Sequence, residues 1–269
     1  MIINSENYFS KQANWDFMSN SQFKCFLECE AKAMANINEE WVYETSDAML
    51  QGKYVHAWNE NKLEQFIKNS PNMFKKDGNL FTKFEICNTV IETIEKDNLF
   101  MNALAGQKEV VFTAEMFGTP WKILIDSYFP DKKRFGDLKV LKSIDDKFWN
   151  KEERRYMNVF EKYGYLTQVA VYAEIERLAN KRDDHYEPFL VVVTKEKYPD
   201  KAIISFNSNQ ETYTEFIQKQ LSIVEYHMPG ILAVKSGKEK PQRCEKCDYC
   251  RSNKKLTGTI HYSHFDNNY

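Results

Sequence analysis

The chain has 269 residues, with 37 Lys and Arg against 39 Asp and Glu, a formal net charge of −2 and a pI of about 6.3. That length gives one large domain or two small ones with a sizeable core, and the near-neutral charge excludes a globally basic nucleic-acid binder, so any polyanionic partner must meet a local basic surface. No run of eighteen apolar residues occurs and MIINSENYFSKQANW has no signal-peptide core, which excludes a membrane protein by this reading and points to a cytoplasmic one.

Residues 1–18 read as a polar, partly ordered arm. A helix is predicted from Ser19 or Ser21 to about Asn36, with Ser19 and Gln22 as a capping box and Phe23, Phe26, Leu27, Ala31 and Met34 as its buried stripe. Cys25 and Cys29 lie on one face of it, where two cysteines alone read as small core residues. A second helix follows Ser46 and turns Met49, Leu50, Val55 and Trp58 inward. His56 lies within it, in GKYVHAWNE, and by itself reads as a half-buried histidine bonded to a carbonyl. Residues 61–105 are predicted as further helices around a polar loop from Lys75 to Asn79, with Cys87 in the core.

The stretch from Glu109 to Lys142 reads as three short strands. Trp121, Ile123 and Ile125 alternate with Lys122, Leu124 and Asp126. After a turn through Pro130, Asp131, Lys132 and Lys133, the next strand puts Asp137 and Lys139 on one face and Leu138 on the other. A charged, irregular stretch follows from Ser143 to Arg155. The helix GYLTQVAVYAEIERLAN then sets Tyr165, Val169, Tyr172, Ala173 and Ile175 at helical spacing, with Gln168 and Tyr172 neighbours at i and i+4. Two strands around Tyr198, Pro199 and Asp200 precede a long helix from about Gln210 to Val234, which packs Phe216, Ile217, Leu221, Ile223 and Val224. This order predicts an α/β or α+β layout rather than a Rossmann array.

Asp126 and Asp137 supply hard oxygen ligands suited to Mg²⁺ or Mn²⁺. Such an ion neutralises phosphate charge and lowers the pKa of a bound water. Lys139 stands two residues from Asp137, where it can position or deprotonate that water or stabilise charge on the phosphate. A D-x-K triplet alone reads as a surface salt bridge. Asp126, His56 and the Gln168–Tyr172 pair are the features that change its meaning.

Together these residues resemble the PD-(D/E)xK nuclease superfamily and, within it, the RecB-like branch. The resemblance implies a restriction-endonuclease-like core, a central mixed β-sheet flanked by helices. It implies that His56, Asp126, Asp137 and the Leu138 carbonyl bind a divalent ion, with Lys139 as the catalytic lysine. Gln168 and Tyr172 would line the site and contact DNA or order the catalytic groups. MSNSQFKCFLECEA, GKYVHAW and CEKCDYCR are also similar to phage and prophage proteins of the exodeoxyribonuclease VIII (RecE)-like kind, over roughly residues 8 to 255. One nuclease domain is thus expected over residues 19–255, with 256–269 as a tail. One departure is Ile123, where a glycine precedes the first metal aspartate in the branch. The implied activity is metal-dependent 5′→3′ resection of duplex DNA, with a single-strand annealing or recombinase partner. The alternatives are a nuclease trimming single strands or overhangs, as in CRISPR adaptation, and a non-catalytic DNA-binding adaptor. A homo-oligomeric ring and a monomer fit equally.

RCEKCDYCR spaces Cys244, Cys247 and Cys250 as C-x2-C-x2-C. Three cysteines so close read as metal ligands that need a distant fourth, with Cys29 preferred and Cys25 as the alternate. The set resembles the iron–sulfur nucleases of the RecB-like branch, which implies a structural [4Fe–4S] cluster joining the two ends of the domain. The compact spacing keeps Zn²⁺ open. Lys132, Lys133 and Arg134, then Lys147, Lys151, Arg154 and Arg155, are candidate phosphate contacts. Tyr128, Phe129, Phe148 and Trp149 are candidates to stack on or wedge a DNA end. Glu109 and Glu115 are either carboxylates supporting the site or solvated strand residues.

Overall fold

Cys29 breaks what its surroundings read as a single helix. The computed structural model describes residues 1–42, 45–151, 153–209 and 211–265. After α1 (Lys11–Asp16), the expected helix is two, α2 (Asn20–Glu28) and α3 (Glu30–Ile37). Cys29 between them is extended, and its Sγ accepts from Lys32 N at 3.5 Å, capping α3. The break leaves Leu27, expected in the buried stripe, 48% exposed. Ser19 caps α2 through Gln22 N, but the Gln22 side chain donates to Asn14 O, so only half of the capping box forms.

Within the first eighteen residues, Tyr8, Ala13 and Met18 are buried, while Met1, Ile2 and Phe9 are exposed. Met18 is buried and exchanges backbone hydrogen bonds with the strand that follows Gly118: its N–H donates to Pro120 O, and Lys122 N donates to Met18 O. The Tyr8 hydroxyl, also buried, donates to Lys122 O. Helix α4 (Asp47–Asn59) is capped by Ser46 and buries Leu50 and Val55, while Met49, expected inward, faces solvent. Helices α5 (Leu63–Asn69), α6 (Ile86–Glu95) and α7 (Asn98–Leu104) complete this side, with Cys87 in the core as expected.

The central stretch forms four strands, not three. These are β1 (Val110–Met116), β2 (Thr119–Ile125), β3 (Ser127–Phe129) and β4 (Arg134–Leu141). Strands β1 and β2 pair antiparallel, as do β3 and β4. Asp126 separates β2 from β3, with its carboxylate turned to the backbone of β4. The stretch expected to be irregular holds a two-stranded hairpin, β5 (Lys147–Asn150) with β6 (Arg155–Asn158). Next come α8 (Val159–Lys162), α9 (Tyr165–Ala179), β7 (Glu187–Thr194) and β8 (Lys201–Ser205). Helices α10 (Tyr213–Lys235) and α11 (Asp248–Ser252) follow, and Gln210, the expected start of the long helix, lies outside the described residues. Ile223 of α10, expected to be packed, is 44% exposed.

Strands β3, β4, β7 and β8 make a mixed sheet in that order, with β4 and β7 parallel. Strand β7 is apolar at nearly every position because both of its faces are covered. Leu190 and Val192 pack with Phe135 into the core that holds α9 and α10, while Val191 and Val193 pack with Leu138 against Val55, Val90 and Phe100 on the other face. The period of two along β4 therefore sends Leu138 into one core and turns Asp137 and Lys139 toward α9. No helix among the described residues is long and apolar enough to cross a membrane.

Candidate active site and cysteine centre

Asp137, Lys139 and Gln168 form one bonded set of side chains, and Asp126 is tied to it through the backbone of Leu138. Leu138 N donates to Asp126 Oδ2 at 2.8 Å, tying the β2–β3 junction to the middle of β4. Gln168 Nε2 donates to Asp137 Oδ1 at 2.8 Å, and Lys139 Nζ donates to Gln168 Oε1 at 2.9 Å. Lys139 Nζ also lies 2.5 Å from Asp137 Oδ2, an ion pair whose angles are poor for a hydrogen bond. His56 reaches the edge of the set, with Nδ1 3.7 Å from Asp126 Oδ2. Tyr172 is half-buried one turn after Gln168, and its hydroxyl is held well above its ordinary pKa by burial and by the negative charge nearby. Leu138 gives the site only its backbone, because its side chain lies in the opposite core.

Burial and the neighbouring Asp137 raise the Asp126 pKa, against the opposing pull of His56, Lys139 and the Leu138 N–H. For Lys139, burial is the largest single influence and disfavours the charge, but Asp137, Tyr165 and Asp126 together outweigh it and the net shift is upward. The residues suit a hard divalent cation: two buried carboxylates converge beside an imidazole, and the buried Asp137 Oδ2 accepts no well-formed hydrogen bond. His56, Asp126 and Asp137 are nonetheless less tightly gathered than the cysteines. Among the described residues, the cysteine group alone brings three or more His, Cys, Asp or Glu ligand atoms within 4.8 Å of one another.

The structure adds residues that the sequence reading passed over. Glu60 caps the end of α4 one turn after His56, and its carboxyl is pushed up to about 7 by burial and by Glu109 and Asp126. The i, i+4 spacing in HAWNE was the available signal. Glu109 pairs with Lys62 at this edge, whereas Glu115 is an exposed residue of β1. Tyr165 places its ring 4.6 Å beneath Lys139 Nζ and also lies 5.8 Å from Lys24 Nζ. Arg134, expected to meet phosphate, is half-buried between the rings of Phe129 and Phe189. Tyr128 and Phe129 are buried, and the Tyr128 hydroxyl donates to Glu176, so neither is presented to a DNA end.

Cys29, Cys244, Cys247 and Cys250 converge from the two ends of the chain. Cys29 Sγ lies 3.5 Å from Cys250 Sγ, and Cys244 Sγ lies 3.9 Å from it. Backbone N–H groups of Lys246 and Cys247 point at Cys244 Sγ and bring that thiol down to about 6, which favours the thiolate a metal needs. Cys25 is outside the group and accepts from the Asn36 side chain instead.

A mixed sheet carrying D-x-K on one strand, faced by a helix carrying Q-x-x-x-Y, defines the PD-(D/E)xK nuclease class of fold. Residues 19–253 match the family described as a PDDEXK-like domain of unknown function, DUF3799, and the chain belongs to that family. A crystal structure from Eubacterium rectale, of a protein provisionally named an exonuclease, is similar at a TM-score of 0.91 and 38% identity, covering 100% of both chains. A second structure, SSO0001, aligns at 15% identity over 86% of this chain and 91% of that one, with a TM-score of 0.30 that supports no argument. No curated protein matches the chain.

Proposed function

We propose that the protein is a divalent-metal-dependent DNA exonuclease. The observation that most supports this reading is the bonded set of Asp137, Lys139 and Gln168, tied to Asp126 through the Leu138 backbone. Asp126, Asp137, His56 and the Leu138 backbone would hold Mg²⁺ or Mn²⁺, which when bound supplies charge neutralisation on the phosphate and a more acidic water. Lys139, fixed between Asp137 and Gln168, presents an ammonium to charge developing on the phosphate. Gln168 keeps that ammonium and Asp137 in one orientation, and Tyr172 backs Gln168. The resemblance to RecE-like proteins favours 5′→3′ resection of duplex ends in phage recombination, with a cytoplasmic setting and an annealing partner. The naming of the Eubacterium rectale protein agrees with an exonuclease. An end-labelled digestion panel of blunt, recessed and closed-circular DNA with magnesium tests it. Release from 5′ ends with circles spared is expected, and cleavage of circles or no magnesium-dependent product would reject it.

We read the four cysteines as a structural centre for a single tetrahedral ion, with Zn²⁺ preferred to the [4Fe–4S] cluster implied by the resemblance. A tetrahedron with metal–sulfur bonds of about 2.3 Å has sulfur–sulfur edges of roughly 3.8 Å. The contacts of 3.5 and 3.9 Å, and the 4.8 Å limit on the whole group, agree with that size. A cluster with an iron at each corner would hold the sulfurs further apart. Colourless protein with one zinc per chain is expected after anaerobic purification; brown protein with four irons would restore the cluster.

A further inference from the structure

Among the described residues, the β5–β6 hairpin exposes two large aromatic rings side by side. Trp149 and Tyr156 are directly paired across the strands, 51% and 64% exposed, with ring centroids 5.2 Å apart and planes at 68°. The alternation that exposes them turns Phe148 and Met157 to the inner face. Folding gains little from Trp149 and Tyr156 beyond their edge contact, since both leave most of their surface in water.

We propose that this outer face stacks the unpaired bases of a DNA strand on its way to or from the active site. The inference rests on the nuclease reading and assigns that site a single-strand platform. Three observations carry it. The hairpin is anchored to the catalytic lysine by a chain of rings: Phe148 meets Tyr163 at 5.8 Å, Tyr163 meets Tyr165 at 5.9 Å, and Tyr165 lies 4.6 Å under Lys139 Nζ. The segment 147–158 has four basic residues against two acidic ones in a chain that is acidic overall. Lys147 shares the outer face with the aromatic pair, and Arg154 is exposed in the connecting turn, whereas Arg155 is held by Glu153 and Glu161. Rings beside cations suit a strand whose bases are unstacked and whose phosphates follow at regular spacing. In a duplex, the base faces are already covered by their neighbours.

The test is binding to the full-length chain carrying Asp137→Ala, with a fluorescein-labelled twenty-residue oligothymidylate and a closed-circular duplex as probes. Adding Trp149→Ala and Tyr156→Ala together should weaken oligothymidylate binding about tenfold or more. It should change circular-duplex binding less than twofold. The Trp149→Phe, Tyr156→Phe pair should keep near-parental affinity, and matching melting curves would show that both pairs fold. Unchanged oligothymidylate binding would overturn the proposal. So would an equal loss on the circle, which indicates a groove-binding ribbon, or a dimer dissolved by the alanines, which indicates a second copy as occupant. Binding is read in EDTA, without a divalent ion, so digestion by Asp137→Ala once magnesium is added would reject the assignment of the active site to Asp137 and leave the binding result interpretable.

Discussion

Gln168 links the two ends of the D-x-K triplet, donating to Asp137 Oδ1 at 2.8 Å and accepting from Lys139 Nζ at 2.9 Å. One amide therefore uses its donor and its acceptor to fix a carboxylate and an ammonium that also touch each other. Replacing it with alanine should leave both charged groups in place but untethered. The expected loss in kcat is about 10- to 100-fold, or ~1.4–2.7 kcal/mol, with KM for DNA changed only a few-fold. Asp137→Ala and Lys139→Ala should fall by a further order of magnitude or more. Single-turnover cleavage measures all three, and wild-type-like digestion by Asp137→Ala would end the assignment of the active site to this triplet.

The cysteine centre makes a sharper distinction. Cys29 joins the group while Cys25, one helical turn earlier, does not. Cys29→Ser should lose the metal and unfold at lower denaturant, because the link from residue 29 to residues 244–250 closes a loop of more than two hundred residues. Closure of such a loop is worth at most about 5 kcal/mol by chain entropy, less whatever other packing already restrains the ends. Cys25→Ser should keep one metal per chain. Metal analysis beside urea unfolding decides this, and equal metal loss in both variants would contradict the geometry.

Gly106 packs against the backbone of Tyr128, two residues beyond Asp126. A Cβ there would lie 2.7 Å from Tyr128 N and 2.8 Å from Tyr128 O, contacts with backbone that cannot be relieved by turning a side chain. Tyr128 also pairs with Gln107 through both backbone hydrogen bonds, two residues after Asp126. Gly106→Ala should therefore cost about 1–3 kcal/mol by overpacking. It should also lower cleavage more than a comparable substitution on the far side of the sheet, such as Val191→Ala. Paired unfolding and activity measurements separate the two effects.

What could be read from the residues follows from how local the signal is. The period of two in β4 and the i, i+4 pair in α9 are properties of short segments, so Asp137, Lys139, Gln168 and Tyr172 were legible before any packing was known. The break at Cys29 was not, because the helical pattern on both sides is continuous and the interruption is at a residue drawn to a partner 221 positions away. Hairpin β5–β6 escaped because its four-residue strands set Phe148 beside Trp149 and Tyr156 beside Met157, so no apolar–polar alternation marks them. The packing of Tyr8, Ala13 and Met18 escaped for a third reason. Alternation puts Lys122 on the face opposite Trp121 and Ile123, and nothing local to the strand tells that the N-terminal segment covers it.

That buried lysine yields a prediction about pH. Lys122 is 1% exposed, and its ammonium donates to Tyr8 O and to Asn14 Oδ1. Lys235 donates to Asn14 O, Phe17 O and Gln22 Oε1. Burial brings both down from the usual 10.5 to about 8, with the charge of Lys235 adding to the effect on Lys122. Between about pH 8 and the unfolded value, the unfolded chain binds more protons than the folded one. Stability must then rise with pH across that interval. Burial lowers Lys24, Lys108 and Lys195 too, and they act in the same sense. The buried Cys87 thiol, raised to about 11, opposes them from about pH 9 upward. Urea midpoints should therefore climb from pH 8 to pH 9, with Lys122 contributing on the order of 1 kcal/mol per pH unit. Lys122→Met should flatten part of that climb while leaving Asn14 Oδ1 and Tyr8 O without their donor. A flat or falling midpoint in the wild-type chain would mean that water reaches the ammonium and that the N-terminal segment does not seal it.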